Sequence, residues 1–361
     1  MHMANMQTIA SARAHSNIAF IKYWGNRNQA LRLPANSSLS MNLAALHSTT
    51  TVRWSDELAA DSLAINGEAP SVAALRRVQA HLDRLRRRLG TDLRAQVDSR
   101  NNFPMGAGIA SSASAFAALT LAAVAALGQR LSERELSALA RLGSGSAARS
   151  IPGGFVEWHA AEAHPGSFAE TIAPPGHWQL EDVIAIVSRQ HKGVGSTAGH
   201  KNAGSSIFQP ARVETAAARL KQVKQAISQR DFALLARVVE ADSNLMHAVM
   251  MTSQPALFYW QPLTLAVMKA ARGWREQDGL RVCYTLDAGP NVHCICVADE
   301  APAVAERLRA LSPAIDILRS GVGGGAVVLP PSGASLCKGE SATCPLSPQI
   351  TLPQHSAACT K

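Results

Sequence analysis

The residues with the plainest chemistry lie in the run Pro104-Met105-Gly106-Ala107-Gly108-Ile109-Ala110-Ser111-Ser112-Ala113, which leads straight into an alanine-rich segment. Bound phosphate needs several convergent N–H donors, and a glycine loop opening a helix supplies them together with the positive end of the helix dipole. Gly106 and Gly108 leave room for an anion to approach the backbone, and the serine hydroxyls can hold phosphate oxygen or a magnesium ion. No Gly-Lys-Ser/Thr follows, so this is not a Walker loop. Read alone, such a helix start is as often a plain turn. Asp287 precedes the tight turn Ala288-Gly289-Pro290, where a strand end can project a carboxylate into a cleft, although an aspartate in that place is more often structural. Gly143-Ser144-Gly145-Ser146 offers two hydroxyls but by itself reads as a flexible turn, and an isolated Lys22 reads as a solvated surface charge.

Periodicity supplies the elements that must position these groups. Residues 16–54 read as short extended pieces joined by turns, with a β-branched strand at 47–54. Val72, Leu75, Val78, Leu82, Leu85 and Leu89 recur at three- and four-residue steps and predict an amphipathic helix over 71–89. An extended stretch leads into the glycine loop; helices are expected to about 127 and around 132–142, then a buried strand at 182–188. Further helices are expected at 211–229, 231–249, 256–274 and 301–311, with a strand pair at 281–287 and 291–298. Turn-rich residues at 161–168 and 172–178 suggest a boundary, giving domains at 1–175 and 176–329. From 330 to 361 the Ser/Pro/Thr-rich sequence without periodicity is taken as a flexible tail.

With 361 residues, 47% hydrophobic and 17% charged, the chain can build a large core. No apolar run approaches the roughly 18–20 residues that cross a bilayer, and the first residues lack a signal-type apolar stretch, so a cytoplasmic protein without a membrane partner is expected. The net charge of +9 draws on Arg76, Arg77, Arg84, Arg86, Arg87 and Arg88. Without aromatic interleaving or a recognition motif these arginines read as a solvated helix face, not a nucleic-acid site. Six cysteines include no CxxC pair with matching ligands, which argues against zinc and disulfides; Cys283, Cys294 and Cys296 read as small buried hydrophobes.

Several segments point further when taken together. Asn17-Ile18-Ala19-Phe20-Ile21-Lys22-Tyr23-Trp24-Gly25 and Leu33-Pro34-Ala35-Asn36-Ser37-Ser38-Leu39-Ser40 are followed by Asn101-Asn102-Phe103 entering the glycine loop. Then come Gly143–Ser150, Gly153-Gly154-Phe155-Val156-Glu157-Trp158, Val187-Ser188 with Ser196-Thr197-Ala198-Gly199, and Asp287-Ala288-Gly289-Pro290-Asn291. In this order they resemble the mevalonate diphosphate decarboxylase branch of the GHMP kinase superfamily, over about 17–291. The resemblance implies an α+β, two-domain GHMP kinase-like fold with the active site in the interdomain cleft, ATP and Mg2+ as cofactors, a small phosphorylated mevalonate as substrate, and a homodimer. It implies that Asp287 orients or deprotonates the C3 hydroxyl, that Arg149 binds the substrate carboxylate bidentately, and that Lys22 is a cation near the transferred phosphoryl group. Substrate contacts would come from Tyr23, Asn26, Ser144, Ser146 and Ser196. Nucleotide contacts would come from Asn102, Pro104, Gly106, Gly108, Ala110, Ser111 and Ser112, with magnesium on Ser112.

The chain departs from that pattern at Gly25-Asn26-Arg27-Asn28, where the diphosphate-specific enzymes normally read Gly-Lys-Arg-Asp. Loss of a cation opposite a terminal phosphate costs about 1.5–3 kcal/mol. A 5-monophosphate would not notice, so mevalonate 5-phosphate is the expected substrate and isopentenyl phosphate the product. The alternative is the 5-diphosphate, with Arg27, His191, Lys192 or His200 covering the extra charge; a 3-kinase or a basic binding protein would be other outcomes. His200 and Ala148, which stand where methionine and cysteine are common, also lie beside the presumed site.

Overall fold

The computed structural model describes residues 8–103, 111–189 and 195–330. A long strand, β1 (Thr8–Ile21), opens the chain and is followed by a small hairpin, β2 (Asn26–Asn28) and β3 (Leu33–Pro34). Next come β4 (Ser38–Ser55), β5 (Ser62–Ile65), α1 (Val72–Leu89) and β6 (Arg94–Asn101). Helices α2 (Ser111–Ala126) and α3 (Glu133–Gly143) lead through a short 3-10 turn, Gly145–Ser150, to β7 (Phe155–Trp158), β8 (Ala169–Ala173) and β9 (Leu180–Ile186). Five helices follow: α4 (Ser196–Asn202), α5 (Gln209–Glu214), α6 (Ala216–Gln229), α7 (Phe232–Thr252) and α8 (Pro262–Asp278). The order closes with β10 (Val282–Thr285), β11 (Val292–Val297), α9 (Ala301–Leu311), β12 (Asp316–Gly321) and β13 (Val327–Leu329).

Two sheets carry this order. The first runs β13-β1-β4-β6-β5, with β7 pairing β4 and β8 pairing β7; the second is an antiparallel β10-β11-β9-β12. Residues 16–54 are therefore longer strands than their sequence suggests. Alternation is clear over His47–Trp54, but every residue from Ser38 to Leu43 is buried, which removes the period-2 signal. Register shifts at His15/Ser16 and Ala19/Ile21 further break the pattern in β1.

Helix α2 is apolar all round because it lies against the first sheet. Ala113, Ala117, Ala118, Ala122 and Ala123 are fully buried and let the backbones approach closely. The second sheet is covered on both faces. Cys283 and Ile295 turn toward Phe20, Leu235 and Val239, while Cys294 and Cys296 turn toward Val267 and Leu308. All three thiols are free and buried.

Helix α1 matches the expected span, but its arginines are not all solvated. Arg86 is buried against Asp61 at 2.8 Å, and Arg77 packs over Phe116 and donates to the Gly143 carbonyl. The helix expected from 256 begins at Pro262, whose missing N–H suits a first turn, after a Gln261 N-cap. From 331 onward the expected tail lies outside the described residues.

Candidate functional site

Lys22 is the first residue beyond β1, and Asp287 lies two residues beyond β10. The strands are tied where Thr285 Oγ1 donates to the Ala19 carbonyl at 3.3 Å. Lys22 Nζ donates to Asp287 Oδ1 at 2.8 Å. The backbone at Lys22 is pinned on both sides: its N–H donates to Asp242 at 2.6 Å, and its carbonyl accepts from Asn36 at 3.1 Å and Arg212 at 3.4 Å. The Lys22 side chain is 1% exposed and that of Asp287 25%, so the carboxylate is the open side of the pair. Burial works to raise the Asp287 pKa, but Lys22, His293 and Arg149 outweigh it and hold the carboxyl below its ordinary value. Burial also holds Lys22 below its usual range, against the pull of Asp287. The result is an ionised carboxylate with one edge toward solvent.

Arg149 closes the 3-10 turn and is buried. Its Nη1 donates to Ser38 Oγ at 2.6 Å, and Nη2 and Nε donate to Asn17 Oδ1 at 3.1 and 3.3 Å. Asn17 in turn donates to Ser150 Oγ at 2.8 Å and to the Ser146 carbonyl at 3.2 Å. Burial lowers the Arg149 pKa to about 10, with Asp287 and Tyr23 opposing. A guanidinium with that value remains a cation at neutral pH.

Around these charges lies an aromatic wall. Tyr23 stacks on His200 with ring centres 4.1 Å apart, and its hydroxyl donates to Asn26 Oδ1 at 2.5 Å. His200 Nδ1 accepts from the Gly25 N–H at 3.0 Å, which leaves the proton on Nε2. Burial, then Arg32 and Arg212, drive His200 down to about 3, so the ring is neutral. A cavity of about 610 Å³ opens beside Gly25, Asn26, Gln29, His200 and Lys201. Gly145 must be glycine here, since a Cβ would sit 2.5 Å from the Tyr23 ring.

The nucleotide-side residues are placed unevenly. Pro104, Gly106, Gly108 and Ala110 lie outside the described residues, as do His191 and Lys192. Ser111 and Ser112 open α2, and Ser112 Oγ lies 3.0 Å from Ser144 Oγ, bringing the loop end to the 3-10 turn. Ser196 begins α4. The Asn102 side chain accepts from the His47 N–H at 2.8 Å and donates to the Ala45 carbonyl at 2.7 Å, fastening the end of β6 to β4. A cavity of about 160 Å³ reaches Ser111 and Ser112 from between α1 and α2, walled by Leu63, Ile65, Val78, Val97 and Phe116. Apolar walls with Ser99, Asn101 and Arg77 at the edge suit a flat heteroaromatic ring. Sequence patterns gave no sign of this slot, because its wall is core in composition. Among the described residues no three His, Cys, Asp or Glu groups gather to hold a metal. A magnesium ion carried by phosphates needs few protein ligands, and the Ser112–Ser144 hydroxyl pair fits that demand.

Two sheets that meet at an ion pair, with the start of α2 tied to the 3-10 turn through Ser112 and Ser144, fit the GHMP kinase superfamily architecture. Family models narrow this further: a diphosphomevalonate decarboxylase-like N-terminal domain matches residues 14–169, and a mevalonate 5-diphosphate decarboxylase C-terminal domain matches 182–326. The diphosphomevalonate decarboxylase of Aspergillus fumigatus is 38% identical over 324 residues, 84% of this chain and 80% of that protein. The crystal structure of the Staphylococcus aureus mevalonate diphosphate decarboxylase superposes with a TM-score of 0.84 at 34% identity, covering 90% of this chain and 98% of that one. A structure of MDDEF in complex with MVAPP, AMPPCP and magnesium gives 0.85 at 35% identity, with 90% and 99% covered. The chain belongs to the diphosphomevalonate decarboxylase family, whose members are ATP-dependent decarboxylases.

Proposed function

We propose that this chain decarboxylates mevalonate 5-diphosphate to isopentenyl diphosphate, releasing ADP, phosphate and carbon dioxide. The observation that carries the reading is the Lys22–Asp287 pair at 2.8 Å, open on its carboxylate side and flanked by a buried guanidinium. Asp287, held ionised, accepts the hydrogen bond of the C3 hydroxyl and aims its oxygen; a depressed pKa suits orientation better than early proton removal. ATP with magnesium, when bound, supplies the phosphoryl group that makes this oxygen a leaving group. Arg149 forks the substrate carboxylate until it departs as carbon dioxide, and Ser144, Ser146 and Ser112 donate to phosphate oxygens. Lys22 offsets negative charge as the phosphoryl group arrives. Ser111, Ser112 and the apolar slot between α1 and α2 hold the nucleotide.

Relatives that are diphosphomevalonate decarboxylases favour the diphosphate over the 5-monophosphate expected from Asn26. One observation keeps the monophosphate as a second reading. The Asn26 side chain is neutral and already engaged by Tyr23 and Gln29, while Arg27 is half exposed and turned toward Glu162. A homodimer and a cytoplasmic setting belong to this proposal; light scattering tests the first. No described helix is long and apolar enough to cross a membrane. Carbon dioxide release from the two mevalonate phosphates, measured in parallel with ATP, tests the activity. A preference for the monophosphate would reverse the substrate assignment, and ATP consumption without carbon dioxide would make the protein a 3-kinase.

A further inference from the structure

Among the described residues Arg32 is a half-buried cation without a counter-charge. It ends the turn between β2 and β3 with φ of 48°, and among the described residues Asn66 and Arg230 are the other non-glycines with positive φ. A long side chain in the left-handed region is kept only where its surroundings enforce it, and such positions gather at ligand sites. Its Nε donates to the Leu142 carbonyl at 3.1 Å, where Arg84 Nη1 also donates at 3.2 Å. Arg77 donates twice to the next carbonyl, Gly143, at 3.2 and 3.1 Å. Three guanidiniums thus meet on the last two carbonyls of α3, immediately before Ser144.

Cations suit a helix C-terminus, and that accounts for the Nε contact. It does not account for the rest of the group. Among the described residues Arg32 has no carboxylate within ion-pair distance, and its two Nη groups have no hydrogen-bond partner. The hairpin is held in place from the other side as well, since Arg141 donates to the Leu31 carbonyl. Arg32 shares the β2–β3 hairpin with Asn26, and the Leu142 carbonyl that holds it lies three residues before Gly145, where a Cβ would meet the Tyr23 ring at 2.5 Å. Asn26 there brings no positive charge.

We propose that Arg32, backed by Arg77 and Arg84, supplies the cation that binds the terminal phosphate of the substrate, the part Asn26 cannot play. This rests on the diphosphate reading above. The free Nη pair of a guanidinium matches two phosphate oxygens, whereas a lysine at position 26 would offer a point charge. Both the substrate and the nucleotide present phosphate, and the substrate is the one assigned, because Arg32 sits on the hairpin that carries Asn26 while Arg77 lines the nucleotide slot.

The test compares wild type, Arg32→Leu, Arg32→Lys and Arg32→Leu with Asn26→Lys. Carbon dioxide release is followed while mevalonate 5-diphosphate, mevalonate 5-phosphate and ATP are varied in turn. Binding of inorganic pyrophosphate is measured by calorimetry, and thermal unfolding checks the fold. Arg32→Leu is expected to raise KM for the diphosphate about ten- to a hundredfold, with kcat and the KM for ATP close to wild type. Kinetics on the monophosphate should stay unchanged. Arg32→Lys should keep part of the affinity, and Asn26→Lys should restore it in the leucine background. Equal losses on both mevalonate phosphates, with a lower Tm, would reduce Arg32 to a hairpin anchor and overturn the proposal. A change confined to the KM for ATP would also overturn it, by giving the contact to the nucleotide. If wild type releases no carbon dioxide from the diphosphate, the activity reading fails by itself. Pyrophosphate binding then decides on Arg32: weakened in Arg32→Leu it stands, unchanged it falls.

Discussion

Lys22 Nζ and Asp287 Oδ1 meet at 2.8 Å across 265 residues of chain, joining the ends of strands that belong to different sheets. The contact sets the charge of the carboxylate. With its folded pKa below the ordinary 3.8, Asp287 contributes stability that is present above 3.8 and lost as pH falls through the folded value.

Lys22→Met removes the largest influence that opposes burial, so the Asp287 pKa rises. An acid limb is expected to enter the kcat profile from below, and kcat to fall by roughly 10²–10⁴. A pH–rate profile checks this. An unmoved acid limb would show that Lys22 does not control the carboxylate.

Acid stability follows from three other residues. His81, His200 and His247 are buried and held near 3, each by burial first. The folded state therefore refuses a proton that the unfolded chain accepts below 6.5. Stability falls as pH drops from 6.5 toward 3, by about 1.4 kcal/mol per histidine for each pH unit. Urea midpoints at pH 7.5 and 5.5 measure it. His81→Phe should flatten the slope by about one proton, and an unchanged slope would contradict it.

Asn17, the first residue of the amino-terminal signature, accepts from Arg149 and donates to Ser150 and the Ser146 carbonyl. Asn17→Ala leaves the buried guanidinium half held. It is expected to lower kcat/KM by roughly tenfold to a thousandfold, while a change to Asp keeps the acceptor and part of the activity. Steady-state kinetics on both variants decide it.

This residue shows where the sequence could be read and where it could not. The signatures named Lys22 and Asp287, which the fold pairs, and Ser112 and Ser144, whose hydroxyls meet, and the helices expected at 71–89 and 301–311 match α1 and α9 almost to the residue. What holds Arg149 is a set of common polar types, Asn17, Ser38 and Ser150, with nothing periodic or motif-like about them. Asp242 and Arg212, which fix the Lys22 backbone, come from segments that sequence marks only as helical. Asn102 shows a second use that its place beside the glycine loop did not announce, since its amide fastens the backbone at Ala45 and His47.

Gly145→Ala places a methyl 2.5 Å from the Tyr23 ring, and the ring must move off Asn26 and His200. A loss of about 1–3 kcal/mol in stability is expected, with a larger drop in kcat/KM than the Tm shift explains. Comparable effects on both would make the close approach a packing matter only.

Both family models end by residue 326. Removal of 331–361 is accordingly expected to leave kcat and KM within about twofold of the full chain, measured on purified protein of each length. A substantial loss would give those residues a part in turnover.

Strand β1 lies between β4 and β13, the first and last strands of its sheet in chain order being direct neighbours. A ribosome must therefore have released Val327–Leu329 before the amino-terminal strand can gain its second partner. Loop closure over most of the chain slows such pairing. Newly made amino-terminal segments thus wait with one edge of β1 open, a period in which a chaperone that shields strand edges would raise the yield of active enzyme.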